Sequence, residues 1–459
     1  MKHKYPLLII LFLTCSQIGS AQFGPQQIID TDIPSSWSIF VADLDGDGFL
    51  DLIATEQIES KIIWYKNLDG LGNFSSQQLI TTNLEYTRYV TVADVDGDGD
   101  MDILATSGSN NLVVWVENLD GLGNFGTQQI ITSTLDSPQI VIAEDVDGDG
   151  DKDVFIASRL DNKITWFENL DGLGSFGPQN IIDSNALTAL TVFFADIDGD
   201  GIKDVISDSS INNQPVWYKH LDGLGNFGSQ QEITNDTSGS IYVIADDVDN
   251  DGDMDVLNIE FGGETIAWYE NDGLGNFGSK QIISTNITSR NIISVDLDND
   301  GDKDILYNHQ EIGLEGFVVW KANDGLGTFG TTQLISNNLE APRGLFAADI
   351  DNDGDEDVFY TDISDNKLAW HENLTILSVN DNELFNITIH PSPVKEILII
   401  ENKKGINIKS VTVYDILGKL LLQENESFNS IDVSQLNSGL LFVTIETAQG
   451  SITKKVVKE

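Results

Sequence analysis

Aspartates recur in this chain at a spacing that cation binding requires and few other chemistries do. In Asp43-Leu-Asp45-Gly-Asp47-Gly48-Phe-Leu-Asp51 they stand at positions 1, 3, 5 and 9 of a nine-residue stretch. Six further copies follow, carried by Asp94, Asp96, Asp98 and Asp102; Asp145, Asp147, Asp149 and Asp153; Asp196, Asp198, Asp200 and Asp204; Asp247, Asp249, Asp251 and Asp255; Asp296, Asp298, Asp300 and Asp304; and Asp349, Asp351, Asp353 and Asp357. Four carboxylates so close repel one another unless a cation stands among them. Calcium takes six to eight oxygens in loose geometry, whereas magnesium demands a stricter octahedron and keeps its waters. The expected cofactor is therefore Ca2+, up to seven ions, one for each copy.

The residues between the aspartates fit a turn around an ion. Position 6 is glycine in every copy, and position 4 is glycine or, at Asn250, Asn299 and Asn352, asparagine. These are the residue types that best accept a left-handed backbone. Position 7 ranges from Phe49 and Ile202 to Asp100, so a ligand there is the main-chain carbonyl. An EF-hand would need a glutamate at position 12 and flanking helices; here the flanks read as strands.

The elements that must hold these loops repeat with them. The copies start 51, 51, 51, 51, 49 and 53 residues apart, a period typical of propellers and arrays. In each unit an apolar strand (Tyr89–Ala93) enters the loop and a second (Asp102–Thr106) leaves it. A third carries a tryptophan, one of Trp64, Trp115, Trp166, Trp217, Trp268, Trp320 and Trp370. A turn rich in Asn, Asp and Gly (Asn118–Asn124) then leads to a fourth strand, Phe125–Ile131. Four short strands per repeat predict an all-β, seven-bladed β-propeller of four-stranded blades with calcium-binding loops. The seventh unit stops after Asn373, and the orphan strand Phe23–Ile29 is expected to supply its missing fourth strand and lock the ring. Beyond residue 375 the pattern changes to a small alternating β-sandwich. The expected organisation is an export signal over 1–21, a propeller over 22–374, a linker over 375–385 and a C-terminal domain over 386–459.

Composition narrows the partners. The 459 residues carry a formal charge of −50, which disfavours nucleic acid and anionic membrane surfaces. With 40% hydrophobic residues and eight tryptophans the chain has material for a core, so the acidity does not mean disorder. Lys2 and Lys4, the apolar run Pro6–Leu13 and the small residues Gly19, Ser20 and Ala21 read as a secretory signal. The only cysteine, Cys15, lies inside it, so the mature chain has no disulfide, and no segment is long and apolar enough to span a bilayer.

No catalytic constellation emerges. His220 and His371 fall at the ends of third strands and are expected on the surface, while His309 is expected in the long connector Asn308–Gly316, as a candidate functional residue. The aspartate pairs are already used by the cation loops. A sharper pattern lies in the arginines. The chain has four, and Arg88, Arg290 and Arg343 share one repeat position, six residues before the first loop aspartate. Its equivalents are Trp37, Gln139, Leu190 and Ile241. That position begins the innermost strand, at the end opposite the loops and beside the central channel. Trp37, Arg88, Arg290 and Arg343 belong to adjacent blades of a closed ring, and an arc of three guanidiniums and one indole suits a carboxylate-bearing or sulfated glycan.

The strand–loop–strand unit resembles the FG-GAP/VCBS repeat family, known from the integrin α-subunit propeller. Phe23-Gly24, Phe125-Gly126 and Phe227-Gly228 match the FG element, while Leu104-Ala105-Thr106 stands in place of GAP, so the bacterial VCBS type is closer. The resemblance covers roughly residues 23–373 and implies calcium bound by the loop aspartates, with adhesion or glycan binding as a family role. The final segment is similar to type A C-terminal sorting domains of type IX secretion. Pro391-Ser392-Pro393, Val413–Lys419, Ile431–Gly439 and Lys454–Lys458 carry this, with His390 and Ser392 departing from the usual Tyr-Pro-Asn-Pro opening. It implies the secretion machinery as a partner and a location outside a Gram-negative cell or on its outer surface. The first functional expectation is a calcium-dependent adhesion module binding glycan or protein. The alternatives are an extracellular polysaccharide lyase or hydrolase and a structural surface-layer component.

Overall fold

The computed structural model describes residues 22–209, 214–310, 315–375, 387–391, 393–402, 408–414, 419–424, 428–447 and 450–458. Residues 1–21 with Cys15, expected to be an export signal, residues 376–385 of the expected linker, part of the blade-six connector (311–314), Ser392 and residues 415–418 of the Val413–Lys419 motif lie outside them. The chain divides into two compact units, residues up to 375 and from 376. Every described element of both is a β-strand.

The first unit consists of seven four-stranded antiparallel sheets. In blade two the strands are Thr87–Ala93, Asp102–Ser107, Leu112–Val116 and Gln129–Thr132, and the other blades repeat this order. The second strands, such as Asp51–Glu56, Asp102–Ser107 and Asp357–Asp362, are buried along their whole length. They lie between neighbouring blades with both faces covered, which is why they read as continuous apolar runs rather than alternating ones. The fourth strands form the rim, where Leu79, Ile130 and Ile282 are exposed. They are shorter than the sequence pattern predicts. Phe125 makes a single bridge to Asn118, Gly126 N–H donates to Glu117 O at 2.7 Å, and the ladder resumes only at Gln129. In blade three the fourth strand is longer, Phe176–Asp183.

The repeated tryptophan and the repeated turn glycine explain each other. Trp64 of blade one packs against Gly123 of blade two, where an added Cβ would lie 2.7 Å from the indole. Trp370 of blade seven packs in the same way against Gly72 of blade one, with a corresponding distance of 2.3 Å. Six of the seven indoles thus fill the place of a side chain on the next blade's turn, across the ring closure as well; the seventh, Trp320 of blade six, meets Phe23 of the N-terminal segment instead. Innermost strands Ile39–Ala42 and Pro342–Ala348 also meet, with Phe40 and Phe346 rings 4.9 Å apart.

The orphan N-terminal strand closes blade seven as its sequence predicts. Gln27–Asp30 pairs antiparallel with Lys367–His371, Gln27 facing Trp370. Gly24 N–H donates to Glu372 O at 2.7 Å, Leu374 N–H donates to Gln22 O at 2.6 Å, and Phe23 lies edge-on to Trp320. His371 is correspondingly buried, its Nδ1–H donating to Gly24 O at 2.9 Å, and is not the surface residue expected.

The second unit is a two-sheet β-domain. Ile387–His390, Ile397–Asn402 and Ser430–Asp432 form one sheet; Leu420–Glu424, Ile408–Tyr414, Gly439–Thr447 and Gly450–Lys458 form the other. Leu398, Ile400, Val411, Val413, Val443 and Val456 fill the space between them.

Gly72→Ala tests the closure. Gly72 has φ +75° and no room for a methyl group against Trp370. Positive φ and overpacking together predict a loss of about 2–4 kcal/mol in urea unfolding of the full chain. A loss under about 0.5 kcal/mol would contradict the packing, since it falls below either cost alone.

Candidate functional site

The aspartate loops are built from backbone amides closing on carboxylates. In loop one, Asp43 Oδ1 and Oδ2 accept from Gly46 N–H (2.8 Å) and Gly48 N–H (2.9 Å), and Asp47 Oδ1 accepts from Phe49 N–H (2.9 Å). Glycines at positions 4 and 6 have φ +69° and +88°, and Asn250, Asn299 and Asn352 adopt the same left-handed backbone at +58° to +59°. The position-9 aspartate has a different part. Asp51 is fully buried; its Oδ2 accepts from Leu44 N–H (3.2 Å) and its Oδ1 from Asn67 N–H (2.8 Å) at the end of the third strand. Asp102, Asp153, Asp204, Asp255, Asp304 and Asp357 repeat both bonds.

The asparagine that meets position 9 also reaches the previous blade. Asn118 Nδ2 donates to Leu44 O (2.8 Å), Asn169 to Val95 O (2.8 Å), and Asn67 to Ile350 O (3.1 Å) across the ring closure. Each acidic loop is therefore tied to the hairpin of its own blade, and six of the seven hairpins also reach the start of the neighbouring blade's loop. His220 occupies this asparagine position in blade four and is buried, contrary to the expectation that it lies on the surface. Its Nε2 accepts from Gly225 N–H (3.0 Å), so Nδ1 carries the proton towards Lys203 O (3.3 Å), and burial holds its pKa below the usual value.

The remaining carboxylate oxygens converge. In loop one an oxygen from each of Asp43, Asp45 and Asp51 lies within 4.8 Å of the others, and equivalent triads form from Asp94, Asp96 and Asp102 and from Asp145, Asp147 and Asp153. The position-3 aspartates show what the arrangement lacks. Oδ1 of Asp45, Asp198, Asp249, Asp298 and Asp351 is buried without a hydrogen-bond partner. Buried acceptors left unpaired are costly, so a converging oxygen set with orphan atoms fits a hard cation.

The second place of interest lies at the opposite end of the innermost strands. The seven equivalent positions, Trp37, Arg88, Gln139, Leu190, Ile241, Arg290 and Arg343, surround one cavity of about 270 Å³ in the channel. Phe40, Tyr89, Tyr242 and Phe346 line it further along those strands, and the hydroxyls of Tyr89 and Tyr242 have no hydrogen-bond partner among the described residues. Arg88 lies 4.3 Å over the Trp37 ring and donates to Gln139 Oε1 at 3.2 Å; Arg343 approaches the same indole at 5.5 Å. Arg290 covers Phe261 at 5.0 Å, and a neighbouring cleft shares Arg88, Leu190, Ile241 and Arg290 and adds Arg159. All four arginines of the chain thus gather here.

None of them forms an ion pair among the described residues, where the bridging cations are all lysines. Burial and the neighbouring Arg290 and Arg88, only partly offset by Asp362, push Arg343 down to about 10. Burial likewise lowers Arg88 and Arg290, with Arg159 adding to both. Like charges held together without a counter-ion leave room for an anion.

Comparisons with known proteins agree with this architecture. The model for the FG-GAP-like repeat matches residues 43–105, 94–156, 145–207 and 247–307, and that for the secretion system C-terminal sorting domain matches residues 388–459. The chain is an FG-GAP-repeat β-propeller with a type IX sorting domain. Two solved structures share the propeller fold at low identity. One, described as the structural basis of specific recognition of non-reducing terminal N-acetylglucosamine by an Agrocybe aegerita lectin, is 20% identical with a TM-score of 0.51, over 75% of this chain and 87% of that one. The other, BBS1N in complex with ARL6DN, is 9% identical with a TM-score of 0.51, over 76% and 96%. No curated protein matches the chain.

Sequence comparison of the repeats missed part of the FG-GAP propeller's channel mouth. Arg159 and Phe261 occupy one repeat position, directly after the second strand, and an alignment centred there would have paired them. Tyr89 and Tyr242 were hidden because a channel-facing tyrosine reads like any other strand aromatic. His309 is not in the connector as expected: it lies in the strand Asp304–Gln310, paired with Phe317, on whose ring it stacks at 6.1 Å.

The position-9 carboxylates give the metal-free propeller a pH dependence. Burial, reinforced by the neighbouring loop aspartates, pushes Asp51, Asp102, Asp153, Asp255 and Asp304 up to about 7, Asp204 to about 6 and Asp357 to about 8. A folded-state pKa above the unfolded value means stability that is present at low pH and lost as pH rises through the folded pKa. Chelator-treated protein is thus expected to melt at progressively lower temperature between pH 5 and pH 8. A flat or rising profile by circular dichroism would contradict these shifts.

Proposed function

We propose that this chain is a secreted, calcium-binding propeller that recognises acidic glycans at the arginine-lined mouth of its channel. The export signal spans 1–21, the propeller 22–374 and the linker 375–385, and the domain over 386–459 directs secretion to the outer surface or the extracellular space. In each loop the aspartates at positions 1, 3, 5 and 9 bind calcium, the position-9 side chain also holding its blade together. The observation that carries the ligand assignment is the meeting of all four arginines of a −50 chain at the channel cavity and the cleft beside it, with no ion pair among the described residues.

The chemistry around them favours sugar over a simple anion. Trp37, Tyr86 and Phe261 lie beside the guanidiniums and offer flat apolar faces, and Tyr89 and Tyr242 supply free hydroxyls. A carboxylate- or sulfate-bearing sugar would use both: paired guanidinium N–H groups for the anion and aromatic faces for the ring. That the lectin of shared fold is described as recognising a terminal sugar is consistent with glycan binding.

A glycan array comparing uronate-containing and sulfated oligosaccharides with neutral ones, with and without chelator, tests the reading. Wild type should favour the acidic set. Arg88→Ala with Arg343→Ala should weaken it by well over tenfold, since hydrogen bonds to charged groups contribute about 1.5–3 kcal/mol each. Unchanged binding by the double variant, or a preference for neutral sugars, would overturn the assignment.

A further inference from the structure

Two of the seven acidic loops already hold a cation of the protein's own. Lys66, two residues after the blade-one tryptophan, places Nζ in a short contact with Asp45 Oδ2 and 3.0 Å from Asp47 Oδ2, at loop positions 3 and 5. Lys219 stands at the same register in blade four and makes the same pair of contacts, with Asp198 and, at 2.9 Å, with Asp200. The other five blades have no lysine there. Glu117, Glu168, Glu270 and Glu372 occupy the position in blades two, three, five and seven, and Ala322 in blade six. The repeat thus places a positive charge in two blades, a negative charge in four and none in blade six at a single point beside otherwise similar loops.

We propose that Lys66 and Lys219 are built-in cations that divide the seven loops into two classes. Five loops depend on calcium, and those of blades one and four are held by an ammonium that competes with the ion. The inference rests on the calcium reading above. Its physical basis is charge at contact distance. An ammonium against two of the four carboxylates neutralises part of the repulsion that calcium would otherwise relieve, and opposes a dication entering the same space. A glutamate at that register does the reverse. The competition is partial, because Oδ1 of Asp45 and Asp198 remains buried and unpartnered beside each lysine. Asp45 is 7% exposed, so water does not compensate it. Calcium can therefore still enter loops one and four, at the cost of displacing the ammonium. Lys66 is also suited to a structural role, since blade one borders the closure with blade seven, where Asn67 bonds Ile350 O.

Calcium titration of the metal-stripped full chain, followed by native mass spectrometry and calorimetry, tests the proposal. Removing the two lysine-held loops from seven leaves five. Wild type should show five ions in a tight class, and two bound at least about tenfold more weakly, as expected for one opposing charge at short range. Lys66→Glu with Lys219→Glu should merge all seven into the tight class, and Lys66→Gln alone should move one ion towards it. Amide exchange on the metal-stripped wild type gives a readout free of any variant's folding. Gly46, Gly48 and Phe49 of loop one should exchange more slowly than Gly97, Gly99 and Asp100 of loop two. Seven equivalent ions in wild type, an unchanged distribution in the double variant, or equal exchange in the two loops would overturn the division and leave the calcium reading standing. Absence of any bound calcium would remove both.

Discussion

A carboxylate with no exposure to water, surrounded by other carboxylates, is the constraint on which this propeller turns. Asp51 and its six counterparts accept two backbone amides apiece, joining the loop they end to the hairpin of the same blade. Through Asn67, Asn118 and Asn169 that junction extends to the neighbouring blade. The hydrogen bonds favour the charged form, while burial and the nearby aspartates favour the neutral one. Protonation would weaken the staple; ionisation would leave a concentration of negative charge. A cation at the centre of the loop removes the conflict, and the same ion then supports both the loop and the blade contact.

The same repeat assigns its two ends different work. One end of each innermost strand enters an acidic loop whose geometry hardly varies between copies. The other end begins at a position that is arginine three times and Trp, Gln, Leu or Ile otherwise. Uniformity at the loops is what a scaffold needs, because six of the seven blade junctions pack through the same indole and glycine. Variation at the mouth is what the proposed recognition would use, because all seven blades meet there and only some of them carry the guanidiniums.

Much of this was legible in the sequence because the chain supplies its own comparison. Invariant glycine at position 6 and glycine or asparagine at position 4 marked left-handed backbone, and each has positive φ. The missing fourth strand of unit seven and the surplus strand before unit one predicted the closure of Gln27–Asp30 on Lys367–His371. What the pattern hid were substitutions that keep a role while changing residue type. His220 replaces asparagine in a buried bonding position, and His371 is buried only because the N-terminal strand folds over it, a contact some 347 residues distant in the chain. Asp208, outside any loop and fully buried, accepts from Thr191 N–H at 2.7 Å where Thr55 and Thr361 serve other blades. Lys66 and Lys219 carry no signal in the spacing of the repeat, and only the fold brings them over the aspartates. Residues of this kind depend on what a distant strand brings to them, and periodicity carries no record of that.

Thermal unfolding of the full chain at pH 7.5, with calcium in excess and then with chelator in excess, tests the central claim most directly. If the loops are metal-supported staples, calcium binds the folded chain far better than the unfolded one, and the midpoint must rise with free calcium concentration. Magnesium at the same concentration should produce a much smaller rise. A midpoint indifferent to calcium and chelator would contradict the account, because the buried aspartates would then be holding the ring without an ion.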